Sequence, residues 1–243
     1  MTLTRGLLYY TCLTHDHRIE MTVRNRLTKI RGDMELVTVS LNQPIEFGDI
    51  NIVVNGKRSP ETMHRQILAG LEQIKADIVF MVESDVLYHE SHLDFMPLTN
   101  DAFFYNEHTY KVDSITGQAV FYYTKQLSGC CAYRDLLLGH YQKRVARIEQ
   151  VGRYEHRMGY EPGCHPAPRG VDHYKAERWM SAGPNVDIRH PKTQTKTRWS
   201  TEEFRDKSTC LGWRLCSDVP GWGTTKGRFD EFLTDVEEGR APF

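Results

Sequence analysis

The chain has 243 residues, 40% of them hydrophobic, and a formal net charge of -1. That length suits one α/β domain or one domain with a small appendage, and the apolar content is too high for a disordered chain. The near-neutral balance argues against a dedicated polyanion binder. No apolar run approaches the roughly 20 residues that a membrane helix needs, and the first residues lack the pattern of a secretory leader. The expectation is a protein made and kept in the cytosol. Six cysteines (Cys12, Cys130, Cys131, Cys164, Cys210, Cys216) form no C-x-x-C pair. Reduced thiols are expected, with a Cys210–Cys216 bridge left open.

Residues 7–13 are aliphatic and aromatic and read as a buried strand. Residues 15–30 are polar, with Ile19, Val23, Leu27 and Ile30 at helical spacing, and predict an amphipathic helix. A second strand is expected at residues 35–41 and a third at 51–54, closed by the turn signal Asn55-Gly56. Ser59-Pro60-Glu61 opens the next helix: Ser caps it, Pro occupies its first position and Glu sits just inside. Residues 77–82 form a strongly apolar strand. Further on, residues 119–123 and the segment before Gly129 read as strands and residues 134–150 as a helix. Residues 152–168 read as a loop, 171–182 as a helix stopped by Gly183-Pro184, and 186–188 as a short strand. From Lys192 the chain is polar and basic and reads as an extended tail.

Strands alternating with helices imply a mostly parallel sheet flanked by helices, with ligands at the carboxyl ends of the strands. The polar residues after each strand therefore matter. They are Thr14, His15 and Asp16 after the first, Asn42 and Gln43 after the second, and Glu83-Ser84-Asp85 after the 77–82 strand. Carboxylate oxygens suit Mg²⁺ or Mn²⁺, and Mg²⁺ commonly takes one or two of them together with phosphate oxygens. The same two acids would also serve to cap the following turn.

At this point the chain resembles the GT-A glycosyltransferases, particularly the family-2-like members of the nucleotide-diphospho-sugar transferase superfamily. Glu83-Ser84-Asp85 looks like their acidic motif, with Glu in place of the first Asp. The resemblance implies a GT-A (Rossmann-like) α/β fold over residues 1–200, with a smaller acceptor-side subregion. Residues 201–243 would be a C-terminal extension packed on the same domain. It implies a divalent metal at Glu83, Asp85 and His190, and a nucleotide-sugar donor, with a UDP-sugar expected. The donor would be bordered by Thr11, Leu13, Thr14, Arg18, Ser40, Asn42, Arg65 and Ser84. Gly129 would let the backbone approach the sugar, or simply serve a tight turn. Lys192 and Lys196, followed by Arg198, would close over the phosphates or remain a solvated basic loop. Asp172 matches the second acid of the family's acidic pair, Val171 departing from the first. It would be the general base of an inverting transfer to an acceptor hydroxyl, or a plain helix N-cap.

Two other readings compete. A nucleotidyltransferase would carry an early glycine-rich phosphate loop, and residues 14–26 contain no glycine. A nucleic-acid-binding module, or a glycosyltransferase acting on hydroxymethylated DNA bases, would use the clusters Arg24/Arg26/Lys29/Arg31, Lys143/Arg144/Arg147 and Lys192/Lys196/Arg198. Trp179, Trp199, Trp213 and Trp222 would stack on sugars or bases, or pack internally. The acceptor class, whether saccharide, small molecule or modified nucleic acid, is not readable from the residues.

Overall fold

A computed structural model describes residues 2–14, 16–165 and 175–241. His15, Val171 and Asp172 lie outside the described residues.

The first strand, β1 (Arg5–Thr11), shows how the sequence builds the sheet. Leu7 and Tyr9 point to one face and Leu8 and Tyr10 to the other, and all four are buried. A strand buried on both faces must be covered twice. Helix α1 (His17–Ile30) covers the first face with Ile19, Val23 and Leu27. After β2 (Glu35–Leu41) and β3 (Ile50–Val54), helix α2 (Pro60–Gln73) covers the second face with Ile67 and Leu71. The α2 N-terminus forms as the sequence predicts: the Ser59 side chain accepts from Thr62 N. Gly70 lets α2 lie close, because a Cβ there would stand 2.2 Å from Leu8 Cδ1.

β4 (Ile78–Glu83) repeats the logic of β1, with Phe80 and Val82 on the α1 side and Val79 and Met81 on the α2 side. It leads through Ser84-Asp85 into the two-residue β5 (Val86–Leu87). Next come β6 (Ala102–Asn106), β7 (Thr109–Asp113), β8 (Ala119–Phe121), β9 (Cys130–Tyr133) and helix α3 (Arg134–Val151). Then follow β10 (Lys175–Trp179), β11 (Asn185–Arg189), β12 (Arg214–Cys216), β13 (Asp218–Val219), β14 (Gly223–Thr224) and helix α4 (Phe229–Glu237).

The main sheet has seven strands in the order β10-β6-β9-β4-β1-β2-β3. All neighbours are parallel except β9, which runs antiparallel to both β4 and β6. The β3-β2-β1-β4 half has its switch point between β1 and β4, where doubly wound sheets place ligands. This is a Rossmann-like, mostly parallel α/β architecture. A second sheet of five strands, β12-β8-β7-β11-β5, joins the first through the β4–β5 corner.

Several expectations are corrected. The helix expected over residues 171–182 is, in its described part, the strand β10, parallel to β6. Without it, the backbone groups along that edge of β6 would lack strand partners, and the exposed or half-buried residues of Lys175–Trp179 suit an edge strand. The segment before Gly129 is a 3₁₀ turn, Leu127–Gly129, and the strand begins after it at Cys130. The first strand ends at Thr11, and Leu13 has φ 55°, outside the β region. The stretch beyond Lys192 is not an extended tail. β12 pairs with β8, and α4 packs Phe229, Phe232, Leu233 and Val236 into the core cluster shared with α1. Strands β6 and β7 were not expected at all. All six cysteines are free thiols. Among the described residues, no helix is long and apolar enough to cross a membrane.

Two core imidazoles make the fold pH-sensitive. His64 and His92 are buried, and burial pushes each down to about 3. Both stay neutral in the folded protein, while an unfolded imidazole titrates near 6.5. Their contribution is complete above about pH 6.5 and is lost as pH falls towards 3. The thermal midpoint should therefore begin to drop between about pH 6.5 and 5, above the range of ordinary carboxylates. A midpoint flat over that interval would show that neither imidazole is held neutral.

Candidate functional site

A cavity of about 410 Å³ opens at the carboxyl ends of β1 and β4. Its floor is the β4–β5 corner. Glu83 is the last residue of β4, Ser84 is buried and Asp85 is half-buried. The corner is fixed by β11, which pairs antiparallel with β5 and donates Ile188 N to Asp85 O at 2.8 Å. That pairing brings Asp187 and His190 of the same strand end to the acidic motif.

Glu83 accepts a hydrogen bond from Tyr10 Oη, and its backbone N donates to Tyr88 Oη at 3.0 Å. Burial, helped by the charges of Asp85 and Asp187, pushes the Glu83 carboxyl up to about 8, against the opposing pull of the Tyr10 hydroxyl and Arg189. Asp187 is 3% exposed and takes both its oxygens to Arg189 Nη1 at 3.1 Å. Gln126 Nε2 adds a third bond at 3.2 Å. Three carboxylates therefore crowd one corner, and one guanidinium answers one of them.

His190 Nε2 lies 3.3 Å from Asp85 Oδ2. Lys192 N donates to His190 Nδ1 at 3.2 Å. Nδ1 is then the acceptor nitrogen, which places the proton on Nε2, facing Asp85. For Nε2 to ligate a metal, the ring would have to release the Lys192 bond. Among the described residues, no group of three His, Cys, Asp or Glu side chains is spaced to hold a metal ion. The corner offers hard oxygen donors in a number that suits a cation completed by phosphates, not an all-protein cage.

The basic segment after β11 is tied to the cavity rim. Arg58 Nη2 donates to Lys192 O at 2.6 Å, Arg189 Nε donates to Thr197 Oγ1 at 2.7 Å, and Arg189 Nη2 donates to Thr195 O. Lys192, Lys196 and Arg198 line the cavity, although Lys196 also pairs with Glu203 at 2.7 Å.

Of the expected site residues, Thr11, Glu83, Ser84, Asp85, Lys192 and Lys196 come together on the cavity wall, with His190 bonded to Asp85. Thr11 is also structural: its hydroxyl donates to Glu20 at 3.0 Å and accepts from Leu13 N at 3.1 Å. The others do not line this cavity. Leu13 and Thr14 form the bend beyond β1, where Thr14 Oγ1 meets Cys12 Sγ at 3.1 Å. Ser40 donates to Gln43 O, and Asn42, at φ 64°, locks its amide to the backbone of Gly56. Arg18 turns away to α4, where it meets Glu237 at 3.1 Å and Thr234 at 2.7 Å. Arg65 pairs with Glu61 and Glu149. A Cβ on Gly129 would stand 2.8 Å from Asn106 O, so this glycine permits β6 to pack against the turn. Asp172 lies outside the described residues.

Sequence reasoning missed Tyr10, Arg58, Lys111, Tyr122, Gln126 and Asp187 on the same wall. The available signal was a charge flanked by apolar residues, at Lys111 between Tyr110 and Val112 and at Asp187 between Val186 and Ile188. Of the basic clusters considered for nucleic acid, Lys29, Lys143, Arg147, Lys192, Lys196 and Arg198 are exposed, and the other four residues are buried or paired. Arg24 pairs with Glu20 at 2.6 Å, Arg26 is buried and donates to Tyr88 O, Arg31 pairs with Asp49 and Arg144 is buried. Trp222 is buried and donates to Pro184 O, and Trp179 stacks on Phe95, with ring centroids 4.2 Å apart.

No family model matches the chain, and no curated protein matches it. Solved structures are similar at low identity. The glycosyltransferase GlyE of Streptococcus pneumoniae TIGR4 is 11% identical with a TM-score of 0.44, over 73% of this chain and 45% of that one. The chain thus spans under half the length of that protein. Drosophila β1,4-galactosyltransferase 7, in a complex with manganese, UDP-Gal and xylobiose, is 10% identical with a TM-score of 0.40, over 84% and 81% of the two chains. A CMP:2-keto-3-deoxy-manno-octonic acid synthetase bound to CTP is 11% identical with a TM-score of 0.37, over 76% and 93%.

The crowded corner has a measurable signature. Glu83 is raised above its unfolded value of about 4.5, so its contribution is complete below that pH and is lost as pH rises through about 8. Glu83→Gln should therefore melt higher than the parent protein at pH 8 in metal-free buffer and converge with it near pH 5. Parallel pH profiles would show that Glu83 carries no such burden.

Proposed function

We propose that the protein is a glycosyltransferase that takes a nucleotide-diphosphate sugar, with a UDP-sugar expected, and uses a divalent cation at Glu83 and Asp85. The observation that carries this reading is the acidic corner at the β1–β4 switch point, at the floor of a cavity whose wall also carries eight Lys and Arg side chains. Metal-dependent donor binding by GT-A relatives, which the sequence resembles, supports it. The complexed neighbour with manganese and UDP-Gal is in keeping with it.

The residues present fit such an ion. Asp85 and Glu83 supply hard oxygen donors, and their mutual crowding already favours a positive guest. When bound, the cation would neutralise charge growing on the departing diphosphate. Around it, the chain's own groups orient and hold. Tyr10 fixes the Glu83 carboxyl, and His190 steadies Asp85. Arg58 and Lys192 stand on the rim, where phosphate oxygens would lie. Arg189 neutralises Asp187 beside the metal carboxylates. Asp172 remains the proposed base that would take the acceptor hydroxyl proton in an inverting transfer. The acceptor falls in the saccharide or small-molecule class.

Binding and transfer can be tested separately. With Mn²⁺ and a UDP-sugar at about 100 times its dissociation constant, stabilisation should reach roughly 5 to 10 °C. Asp85→Ala should abolish that shift and lower turnover by at least about two orders of magnitude. Full activity in this variant would remove the metal assignment. Asp172→Asn should keep the metal-dependent shift but lose transfer, and transfer at the parent rate would exclude Asp172 as base.

A further inference from the structure

The cavity carries more positive charge than one diphosphate and one cation call for. Eight Lys and Arg side chains line it, against four carboxylates. One of them stands apart from the rest. Lys111 sits in the middle of β7, is 4% exposed and lines the cavity. Its Nζ has no hydrogen-bond partner among the described residues. Its described neighbour is the ring of Tyr122, with the centroid at 4.4 Å. The carboxylate opposite Lys111 in the register is Asp187, already engaged by Arg189 and Gln126. Burial pushes the Lys111 ammonium down to about 8. A buried, unpaired ammonium is costly, and a cation–π contact offsets only part of that cost. Methionine would fill the same space without it.

The register fixes where Lys111 stands. Val86, next to Asp85, pairs with Asp187, and Asp187 pairs with Lys111. Two strand spacings separate Val86 from Lys111, about 10 Å. With a diphosphate at Asp85, Lys111 lies on the far side from the β1 end, beside the group being transferred or the molecule receiving it.

We propose that Lys111 receives a second anionic group, a carboxylate or phosphate borne on the sugar side of the reaction by the transferred sugar or by the acceptor. The placement rests on the nucleotide reading above. Lys111 is thereby a specificity residue: it selects an acidic substrate over its neutral counterpart.

The test measures affinity by calorimetry in Mn²⁺ buffer for two matched pairs: UDP-glucuronate against UDP-glucose, and glucose 6-phosphate against glucose. In the parent protein the anionic member of at least one pair should bind about tenfold tighter or more. The UDP pair reports an anion on the donor and the free-sugar pair one on the acceptor. In Lys111→Met that preference should collapse while affinity for the neutral members stays, and the unliganded variant should melt no lower than the parent. Lys111→Gln is the second variant should the first fail to fold. Equal binding of charged and neutral members by the parent protein, or an undiminished preference in the folded variant, overturns the proposal. Discrimination between the free sugars without any binding of UDP would instead sink the nucleotide reading and leave this one standing.

Discussion

The site depends on one short pairing between two sheets. β5 is two residues long, yet it carries the acidic corner out of the main sheet and joins it to β11. The Ile188–Asp85 backbone bond and the Val86–Asp187 register bring three carboxylates to one place. Like charges held close in a half-buried site repel strongly, because little water stands between them. The fold answers this with Arg189 on Asp187, the Tyr10 hydroxyl on Glu83 and an imidazole on Asp85. The remaining imbalance is what the proposed cation would offset.

Much of the first half was legible because its signals are local. Alternation in residues 7–10 and 78–82 declares strands buried on both sides, and the Ser59-Pro60 start declares a helix. The acidic corner was legible because it ends such a strand. What escaped was set by distant partners. Residues 175–179 carry no strong intrinsic preference and become a strand by pairing with β6. Arg18 looks available in sequence, but Glu237 lies 219 positions away and claims it. No periodicity announces such a partner. Arg65 is taken in the same way by Glu149, across the α2–α3 contact.

The residues that resemblance placed around the nucleotide divide by the same rule. Thr11, Ser84 and Asp85 are positioned by the strand ends themselves and line the cavity wall. Ser40 and Asn42 sit at an equivalent strand end, yet their side chains close local loops instead. A hydroxyl or amide beside a turn often bonds the nearest backbone, and that use is invisible in a spacing pattern.

Lys111 and Asp187 extend this argument. Both sit at the centre of strands that alternate polar and apolar residues, and they occupy adjacent places in the register of the second sheet. Left to themselves they would form a buried ion pair, which would satisfy each and leave the cavity no free charge there. Arg189, two residues beyond Asp187 and on the same face of its strand, prevents this by taking both Asp187 oxygens. Its Nη1 reaches both carboxylate oxygens, while Nε and Nη2 are held by Thr197 and Thr195 and fix the guanidinium in place. The competition thus leaves Lys111 Nζ without a hydrogen-bond partner among the described residues, with the charge of Asp187 only partly offsetting its burial. A fold selected only for stability would have an apolar residue at that position, since an uncompensated buried charge lowers stability. A lysine there is in keeping with the proposed ligand, which would supply the missing anion.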